Sequence, residues 1–336
     1  MMPAPPSRQE RLELVCPAGT PASLRGAVDA GADTIYCGFN DETNARNFPG
    51  LNFSRAEMAD GIAYAKARGA KVLVAINTFP RAGSEILWHR AVDDAFAAGA
   101  HAVILADLGL LAHAAEKHPD RRLHLSVQAA AANADAINFY AEAFGVKRVV
   151  LPRILTVQEI AAINREINVE TEVFIFGGLC VMAEGRCSLS SYATGKSPNM
   201  NGVCSPASHV EYREEAGDLV SRLGGFTIHR VEKAAAAPYP TLCKGCFTAG
   251  DYRGHVFEDP VSLDAVALIP QLAKAGVRAL KIEGRQRSKA YVEAVVRAFR
   301  RATEAQAAGL PIPASELSRL TEGQQSTAGA YRKTWR

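Results

Sequence analysis

The chain has 336 residues, of which 48% are hydrophobic and 22% charged, a composition typical of a globular protein with a large buried core. Its 38 basic and 35 acidic residues leave a net charge of only +3, which does not indicate a nucleic-acid partner bound through a broad basic surface. No apolar segment approaches the ~20 residues that span a bilayer, so we expect no membrane span.

Residues 1–10 are rich in proline and charge and lack the apolar centre of a secretion signal. We predict a disordered tail there and a cytoplasmic location for the protein. Thiols are kept reduced in the cytoplasm. The seven cysteines are therefore better explained by metal binding, catalysis or burial than by disulfides.

One pattern recurs along the chain: an alanine-rich helix ends at a glycine, and an apolar strand begins within a few residues. The repeats start at Ala27, Ala63, Ala95, Ala141 and Leu272, and their glycines are Gly31, Gly69, Gly99, Gly145 and Gly276. Glycine adopts the left-handed conformation of a helix end without steric cost. The strands are continuous apolar runs, which is typical of parallel strands buried on both faces.

Three further apolar segments complete the set, namely LELVC from Leu12, LHLSVQ from Leu123 and EVFIF from Glu172. Eight strands alternating with helices predict a parallel (β/α)8 TIM-like barrel, formed by residues 11–336 as a single domain. An open doubly wound sheet is the alternative. The near-regular spacing and the lack of a G-x-G-x-x-G motif after the first strand favour the barrel.

The spacing breaks once, because residues 177–278 form a long insertion between the seventh and eighth strands. In β/α barrels the loops at the C-terminal ends of the strands carry the active site. Five cysteines lie in this insertion: Cys180, Cys187, Cys204, Cys243 and Cys246. The insertion is therefore the part of the chain where we expect the chemistry.

Four thiolates can hold either a [4Fe–4S] cluster or a structural zinc ion, and the spacing alone does not decide between them. A zinc ribbon usually has two C-x-x-C motifs, whereas only Cys243 and Cys246 form one here. Simple burial is a poor explanation for five cysteines in a polar, glycine-rich segment. Cys16 and Cys37, in contrast, end apolar strands and are interpreted as packing residues.

The run EVFIFGGLCVMAEGRCSLS, residues 172–190, resembles the signature of the collagenase-like peptidase family U32. Further matching segments cover nearly the whole chain, including LVCPAGTPASLRGAVDAGADTIYCG, YPTLCKG from Tyr239 and KIEGRQRSKAYV from Lys281. DETNARNFPGLNFS, residues 41–54, and TEGQQSTAGAYRKTW from Thr321 are similar to the branch of this family that acts in oxygen-independent ubiquinone (coenzyme Q) biosynthesis.

The resemblance implies a β/α barrel that binds a [4Fe–4S] cluster through Cys180, Cys187, Cys204 and Cys243. It leaves Cys246 as an extra thiol close enough in sequence to compete with Cys243. It also implies a heterodimer with a UbiV-like iron–sulfur protein, and hydroxylation of the aromatic ring of ubiquinone precursors with prephenate as the oxygen donor. Because the prenylated substrate is insoluble and the chain has no membrane anchor, we also expect a lipid-carrier protein.

A carboxylated donor requires cations near the barrel mouth, and arginine binds carboxylates through its bidentate fork. Four residues at strand ends are candidate substrate-binding residues: Arg153, Arg285, Asn77 and Gln128. Lys281 lies within the eighth strand and is expected to point into the barrel. Ion pairs with Glu184 or Glu283 are the alternative for the arginines, and loop-capping hydrogen bonds are the alternative for the two amides.

Protease activity is not expected, because the chain has neither a G-x-S-x-G nor an H-E-x-x-H motif. We interpret His209 and His229 as solvated loop residues. Two other functions stay open. One is hydroxylation of tRNA or rRNA bases, as in relatives that tend to be longer than this chain. The other is a non-catalytic role as an electron-transfer or scaffold subunit.

Overall fold

The computed structural model describes residues 11–232, 235, 237–314, 317–321 and 325–332. The predicted tail, residues 1–10, and part of the segment that begins at Thr321 lie outside the described residues. None of the described helices is long and apolar enough to cross a membrane.

Strands and helices alternate along the chain as the sequence predicts, with additional elements between the seventh and eighth strands of the barrel. The strands are β1 (Glu13–Pro17), β2 (Thr34–Cys37), β3 (Lys71–Ile76), β4 (Ala102–Leu105), β5 (Arg122–Leu125), β6 (Arg148–Val150), β7 (Glu170–Gly178), β8 (Val210–Glu215), β9 (Asp218–Leu223), β10 (Phe226–Glu232), β11 (Cys246–Ala249), β12 (Tyr252–His255), β13 (Ser262–Asp264), β14 (Ala279–Ile282) and β15 (Ser326–Thr327). The helices are α1 (Pro21–Asp29), α2 (Arg55–Lys66), α3 (Ile86–Ala97), α4 (Leu108–Lys117), α5 (Ala134–Phe144), α6 (Val157–Glu166), α7 (Leu189–Thr194), α8 (Pro198–Asn201), α9 (Ile269–Lys274) and α10 (Lys289–Ala307).

Eight strands form a closed parallel barrel, which confirms the predicted fold. Strands β1 to β7 pair with one another in sequence order, and β14 pairs in parallel with both β7 and β1. In the closing pair, Glu13 lies beside Ala279 and Val15 beside Lys281. The chain order therefore places β6 and β14 on either side of β7, the strand that leads into the cysteine-rich insertion.

Local signals in the sequence set the helix ends. Ser54 and Glu57 form a reciprocal capping box at the start of α2, and Thr156 and Glu159 form another at the start of α6. All five glycines of the recurring pattern have a positive φ, as predicted; Gly145, the C-cap of α5, has a φ of 67°. These ends keep the connections short and hold each helix against the barrel.

Apolar side chains form two layers. The larger core lies between the barrel and its helices, and it contains the fully buried Cys16 and Cys37. A smaller cluster is separate from this core and is drawn from alternate strand positions, as expected for side chains that point into the barrel: Val15, Tyr36, Leu73, Ala75, Ala102, Ile104 and Ala279. The interpretation of both cysteines as packing residues agrees with this arrangement.

Charged side chains are also buried within the barrel strands. Glu172 is fully buried and accepts a hydrogen bond from Lys281 at 2.5 Å, and its other oxygen lies 3.3 Å from Arg148. Arg148 also pairs with Glu13 at 2.6 Å. Buried charges persist only when they are paired, and each of these has an oppositely charged partner.

The insertion contains its own antiparallel structure. Strands β8, β9 and β10 form a three-stranded sheet, and β11 and β12 form a hairpin. The end of the predicted insertion returns to the barrel, where β13 pairs antiparallel with β7 and α9 precedes β14. Strand β8 is the edge of the three-stranded sheet, and its exposed residues include the charged Glu211, Arg213 and Glu214.

Candidate functional site

Four cysteines of the insertion come from three loops near the C-terminal end of β7, and Cys180 and Cys187 share the loop between β7 and α7. Cys180 is two residues beyond Gly178, the last residue of β7, so it lies close to the strand ends. Cys187 precedes α7, Cys204 follows α8, and Cys243 lies in a short 3₁₀ turn before β11. All four are partly buried and none forms a disulfide.

The thiols of these four cysteines lie near one another. Cys180 is close enough to Cys204 and Cys243 for their charges to interact, and Cys204 interacts in the same way with Cys187 and Cys243. Burial raises the pKa of the Cys180 thiol well above its ordinary value and that of Cys204 to about 11. A metal centre binds the thiolate and neutralises the charge that burial disfavours. The donor set therefore fits a group held by four thiolates, such as the predicted [4Fe–4S] cluster.

Cys246 belongs to a different part of the insertion. It begins β11, lies opposite His255 of β12, and lines an open cavity of about 340 Å³ together with Arg230 and Arg253. The charge interactions described for the other four cysteines do not include it. Within the part of the chain that the structure describes, no three His, Cys, Asp or Glu side chains are grouped as ligands of a metal ion. The cluster and the assignment of Cys243 rather than Cys246 as its fourth ligand stay predictions.

Two glycines let the insertion lie directly against barrel loops. A Cβ atom at Gly202 would be 0.8 Å from the carbonyl oxygen of Ala45, and one at Gly185 would be 2.0 Å from the carbonyl oxygen of Gln128. Both glycines also have a positive φ. The guanidinium group of Arg46 donates a hydrogen bond of 2.5 Å to the carbonyl oxygen of Gly202. These contacts hold the cysteine-bearing loops against the loops that follow β2 and β5.

Arg153, after β6, joins three elements at this end of the barrel. Its buried guanidinium donates hydrogen bonds to Glu184 of the insertion and, at 2.7 Å, to Glu283 after β14. It also stacks on Phe174 of β7, with 3.4 Å between the guanidinium carbon and the ring centroid. Burial alone would lower the pKa of Arg153, but Glu283 and Glu184 raise it above its ordinary value. Two carboxylates thus already balance the charge of Arg153. This is the ion-pair arrangement that the sequence offered as the alternative to substrate binding.

Arg285, after β14, is buried in different surroundings. Its guanidinium donates a hydrogen bond of 2.8 Å to the side-chain oxygen of Asn44 and lies 5.6 Å from the ring centroid of Tyr36. No carboxylate of the described residues forms an ion pair with it within 4.0 Å. Burial lowers its pKa to about 10, and Arg46 acts in the same direction. The group therefore keeps its positive charge at neutral pH.

The other predicted polar residues differ in their roles. Lys281 points towards the barrel interior as expected, bonded to Glu172 and 3.8 Å from the ring centroid of Tyr36. The side-chain oxygen of Asn77 accepts a hydrogen bond of 3.1 Å from the backbone of Ala45, which is a loop-capping contact. The side-chain oxygen of Gln128 is buried and has no hydrogen-bond partner among the residues that the structure describes. Strand β5 ends three residues before the end of the predicted strand. Gln128 therefore lies in a short turn after the strand and not in the strand itself.

Two features of this region did not follow from the sequence. Tyr36 lies beneath both Lys281 and Arg285, although its sequence context is that of an ordinary strand residue. The prediction that His229 is solvated is wrong, because its side chain is only 3% exposed. A bulge between Thr227 and His229 shifts the alternation of β10, so that neighbouring residues are both buried.

Comparison with known proteins shows which family the chain resembles. The model of the family described as Peptidase family U32 matches residues 19–328. The tRNA hydroxylation protein P of Escherichia coli (strain K12) is 32% identical over 327 residues, which cover 92% of this chain and 71% of that protein. The 23S rRNA 5-hydroxycytidine C2501 synthase of the same organism is 30% identical over 300 residues, covering 88% of this chain and 40% of that protein.

A solved structure of a U32 peptidase covers 86% of this chain and all of that chain, with a TM-score of 0.48 and 15% identity. The family match spans most of the chain and includes the four cysteines over the barrel mouth. The chain is a member of the peptidase U32 family.

Proposed function

We propose that this chain is a UbiU-type iron–sulfur subunit of an oxygen-independent hydroxylase that acts on an aromatic ring. The observation that carries the proposal is the gathering of four cysteines from three loops over a barrel mouth that contains buried arginines. The relatives named for RNA hydroxylation support hydroxylation as the class of reaction. Reduced thiols suit a protein that works in the cytoplasm.

The chain's own residues supply binding and positioning at this mouth. A bound [4Fe–4S] cluster on Cys180, Cys187, Cys204 and Cys243 would supply electron-transfer or Lewis-acid chemistry. Arg153 fixes the loop between Cys180 and Cys187, because its partner Glu184 lies between them. Arg285 offers a positive charge to a carboxylated oxygen donor, which we propose to be prephenate.

We propose a ubiquinone precursor as the ring that is hydroxylated. Residues 41–54, which carry part of the resemblance to the ubiquinone branch, contribute Asn44 and Arg46 to the barrel mouth. In that position the segment can contact a bound ring and help to select it. The proposal includes a UbiV-like partner in a heterodimer and a lipid carrier that delivers the prenylated substrate.

The relatives favour a second candidate function, hydroxylation of an RNA base. Both relatives described above are named for reactions on RNA, and these names support a tRNA or rRNA base better than a quinone precursor. The segment at residues 41–54 supports the quinone precursor. The two candidates share the reaction class and differ in the molecule that enters the barrel mouth.

The test is a strain that lacks this protein, grown without oxygen. We expect ubiquinone to be lost while hydroxylated nucleosides in tRNA and 23S rRNA remain at normal levels. Loss of the hydroxylated nucleosides with normal ubiquinone would establish the RNA reaction instead. If all of these products remained, hydroxylation would be excluded as the function of this chain.

Restoration of activity with a cluster-free variant separates catalysis from scaffolding. Cys180→Ala in the same strain should fail to restore the product, because the proposed chemistry requires the cluster at this site. A variant that binds no iron and still restores the product would show a scaffold role.

A further inference from the structure

Arg285 is a buried arginine at the barrel mouth that has no carboxylate of the described residues within ion-pair distance. Arg153 pairs with both Glu184 and Glu283, and Arg46 lies 3.8 Å from Glu283. Arg285 is only 7% exposed, and among the residues described it has an amide rather than a carboxylate as its hydrogen-bond partner. Glu283 acts on Arg285 only from a longer distance. A buried charge without a direct ion-pair partner destabilises a fold, so its presence requires an explanation.

The surroundings of Arg285 form a built site. Asn44 is itself buried; its amide nitrogen donates 2.9 Å to the carbonyl oxygen of Phe39, while its oxygen accepts from the backbone of Arg46 at 3.0 Å. Its orientation is therefore fixed before it accepts the bond from Arg285.

Two glycines make room for this pair. A Cβ at Gly38 would lie 2.6 Å from the Asn44 side chain, and a Cβ at Gly19 would lie 1.8 Å from the carbonyl oxygen of Arg285. The backbone after β1 and β2 thus comes so close to Arg285 and Asn44 that only glycine fits at these two positions. Among the described residues, the guanidinium group keeps further N–H donors that make no hydrogen bond.

We infer that Arg285, positioned by Asn44, is an anion subsite at the barrel mouth that binds a carboxylate group of a small molecule. A planar guanidinium offers two parallel N–H donors to a carboxylate, and a bound anion would supply the ion-pair partner that Arg285 lacks. Arg153 is not an equivalent subsite, because its two carboxylate partners already fill that role. The inference rests on the proposed function only in identifying this carboxylate with that of the oxygen donor.

The experiment measures the thermal unfolding midpoint of the anaerobically purified full chain as malonate or prephenate is added at constant ionic strength. A ligand that binds only the folded protein raises the midpoint until its site is saturated. We expect both dicarboxylates to raise the midpoint of the wild-type protein. In Arg285→Gln we expect the apparent affinity to fall about tenfold or more, while the midpoint without ligand stays equal or rises.

Two further variants protect the test against simple misfolding. Asn44→Asp places a carboxylate beside Arg285, so the response to anions should be lost although the arginine remains. Arg297→Gln removes an exposed arginine of α10, and its response to both dicarboxylates should match the wild type.

The inference is overturned if neither dicarboxylate shifts the wild-type midpoint, or if Arg285→Gln binds them as well as the wild type does. These outcomes are distinct from a failure of the proposed function. An anion response in a protein that hydroxylates neither quinones nor RNA would leave the subsite standing and remove the reaction. Normal hydroxylation by Arg285→Gln with an unchanged anion response would remove the subsite and leave the proposed reaction standing.

Discussion

At the scale of single residues, neighbouring carboxylates decide what a buried arginine does. Arg153 and Arg285 follow the two strands that flank β7, and both are buried at the same end of the barrel. Through its ion pairs with Glu184 and Glu283, Arg153 connects the insertion to the barrel. Arg285 has an asparagine in their place and, among the described residues, no direct ion-pair partner, so its charge can attract a ligand.

Replacing Arg153 should therefore destabilise the protein strongly. Arg153→Gln leaves the buried Glu184 without its cation, and loss of one partner of a buried ion pair costs about 3 kcal/mol or more. Urea unfolding of the anaerobic protein measures the free energy of unfolding. Arg297→Gln breaks only an exposed pair with Glu293 and should change it by less than about 1 kcal/mol. Equal effects of the two substitutions on the free energy of unfolding would contradict the conclusion that Arg153 connects the insertion to the barrel.

The cysteines should divide into two groups in iron and sulfide analysis of anaerobically purified variants. Alanine at each proposed ligand should abolish the cluster: Cys180, Cys187, Cys204 and Cys243. Alanine at Cys16, Cys37 or Cys246 should leave iron and sulfide at wild-type levels, because the first two pack in the core and the third faces another cavity. Loss of iron in Cys246→Ala but not in Cys243→Ala would exchange these two assignments.

Residue types and spacing predicted the candidate ligands but not their surroundings. Five cysteines in one insertion are visible in the sequence, and the resemblance to a family selected four of them. The contrast between Arg153 and Arg285 is not visible, because their partners lie up to 241 residues away in the chain. The burial of His229 depends on a bulge in β10, a backbone irregularity that its own sequence does not mark.

At the scale of elements, the insertion is held to the barrel where backbone meets backbone. Gly202 lies against Ala45 after β2, and Gly185 against Gln128 after β5. A side chain at either glycine would displace the loop that carries the adjacent cysteine. The position of the cysteine-bearing loops thus depends on two glycines.

Gly202→Ala should detach the insertion from the barrel loop and reduce both stability and cluster content. Its Cβ would lie 0.8 Å from the oxygen of Ala45, so the backbone must move. Gly217→Ala is a matched control, because Gly217 also has a positive φ but has nothing within 4 Å of the added Cβ. The control should cost about 1 kcal/mol from backbone strain alone and retain its iron. The explanation fails if the two variants lose equal amounts of iron and stability.

Strand β10 should make the protein sensitive to acid through His229. Burial lowers the pKa of His229 to about 4, and the nearby His255 and Lys244 act in the same direction. The unfolded chain, with a histidine pKa of about 6.5, then binds the proton more readily, so stability is full above that value and declines as the pH falls towards 4. His229→Phe should reduce the loss of unfolding free energy between pH 7 and pH 4.5, by about 2 kcal/mol. Parallel pH profiles for variant and wild type would refute this.

At the scale of the whole molecule, the barrel was predictable and the internal fold of the insertion was not. After β1, each barrel strand follows a helix that ends at a glycine or a short turn, so local periodicity and chain order fix the pairing of neighbours. Inside the insertion, β8 to β10 pair antiparallel among polar residues without a strong alternating pattern. The return of β13 to pair with β7 joins segments about 85 residues apart, beyond the reach of local signals.

The open side of β8 has a consequence for how the protein behaves at high concentration. An unpaired strand edge is a template on which a second molecule can add its own strand, and chains of such additions produce insoluble aggregates. Glu211, Arg213 and Glu214 place exposed charged side chains along this edge, and charged residues on an edge strand disfavour the addition of a second strand. The edge of β8 can therefore stay exposed in a concentrated solution, because its charged residues oppose self-assembly.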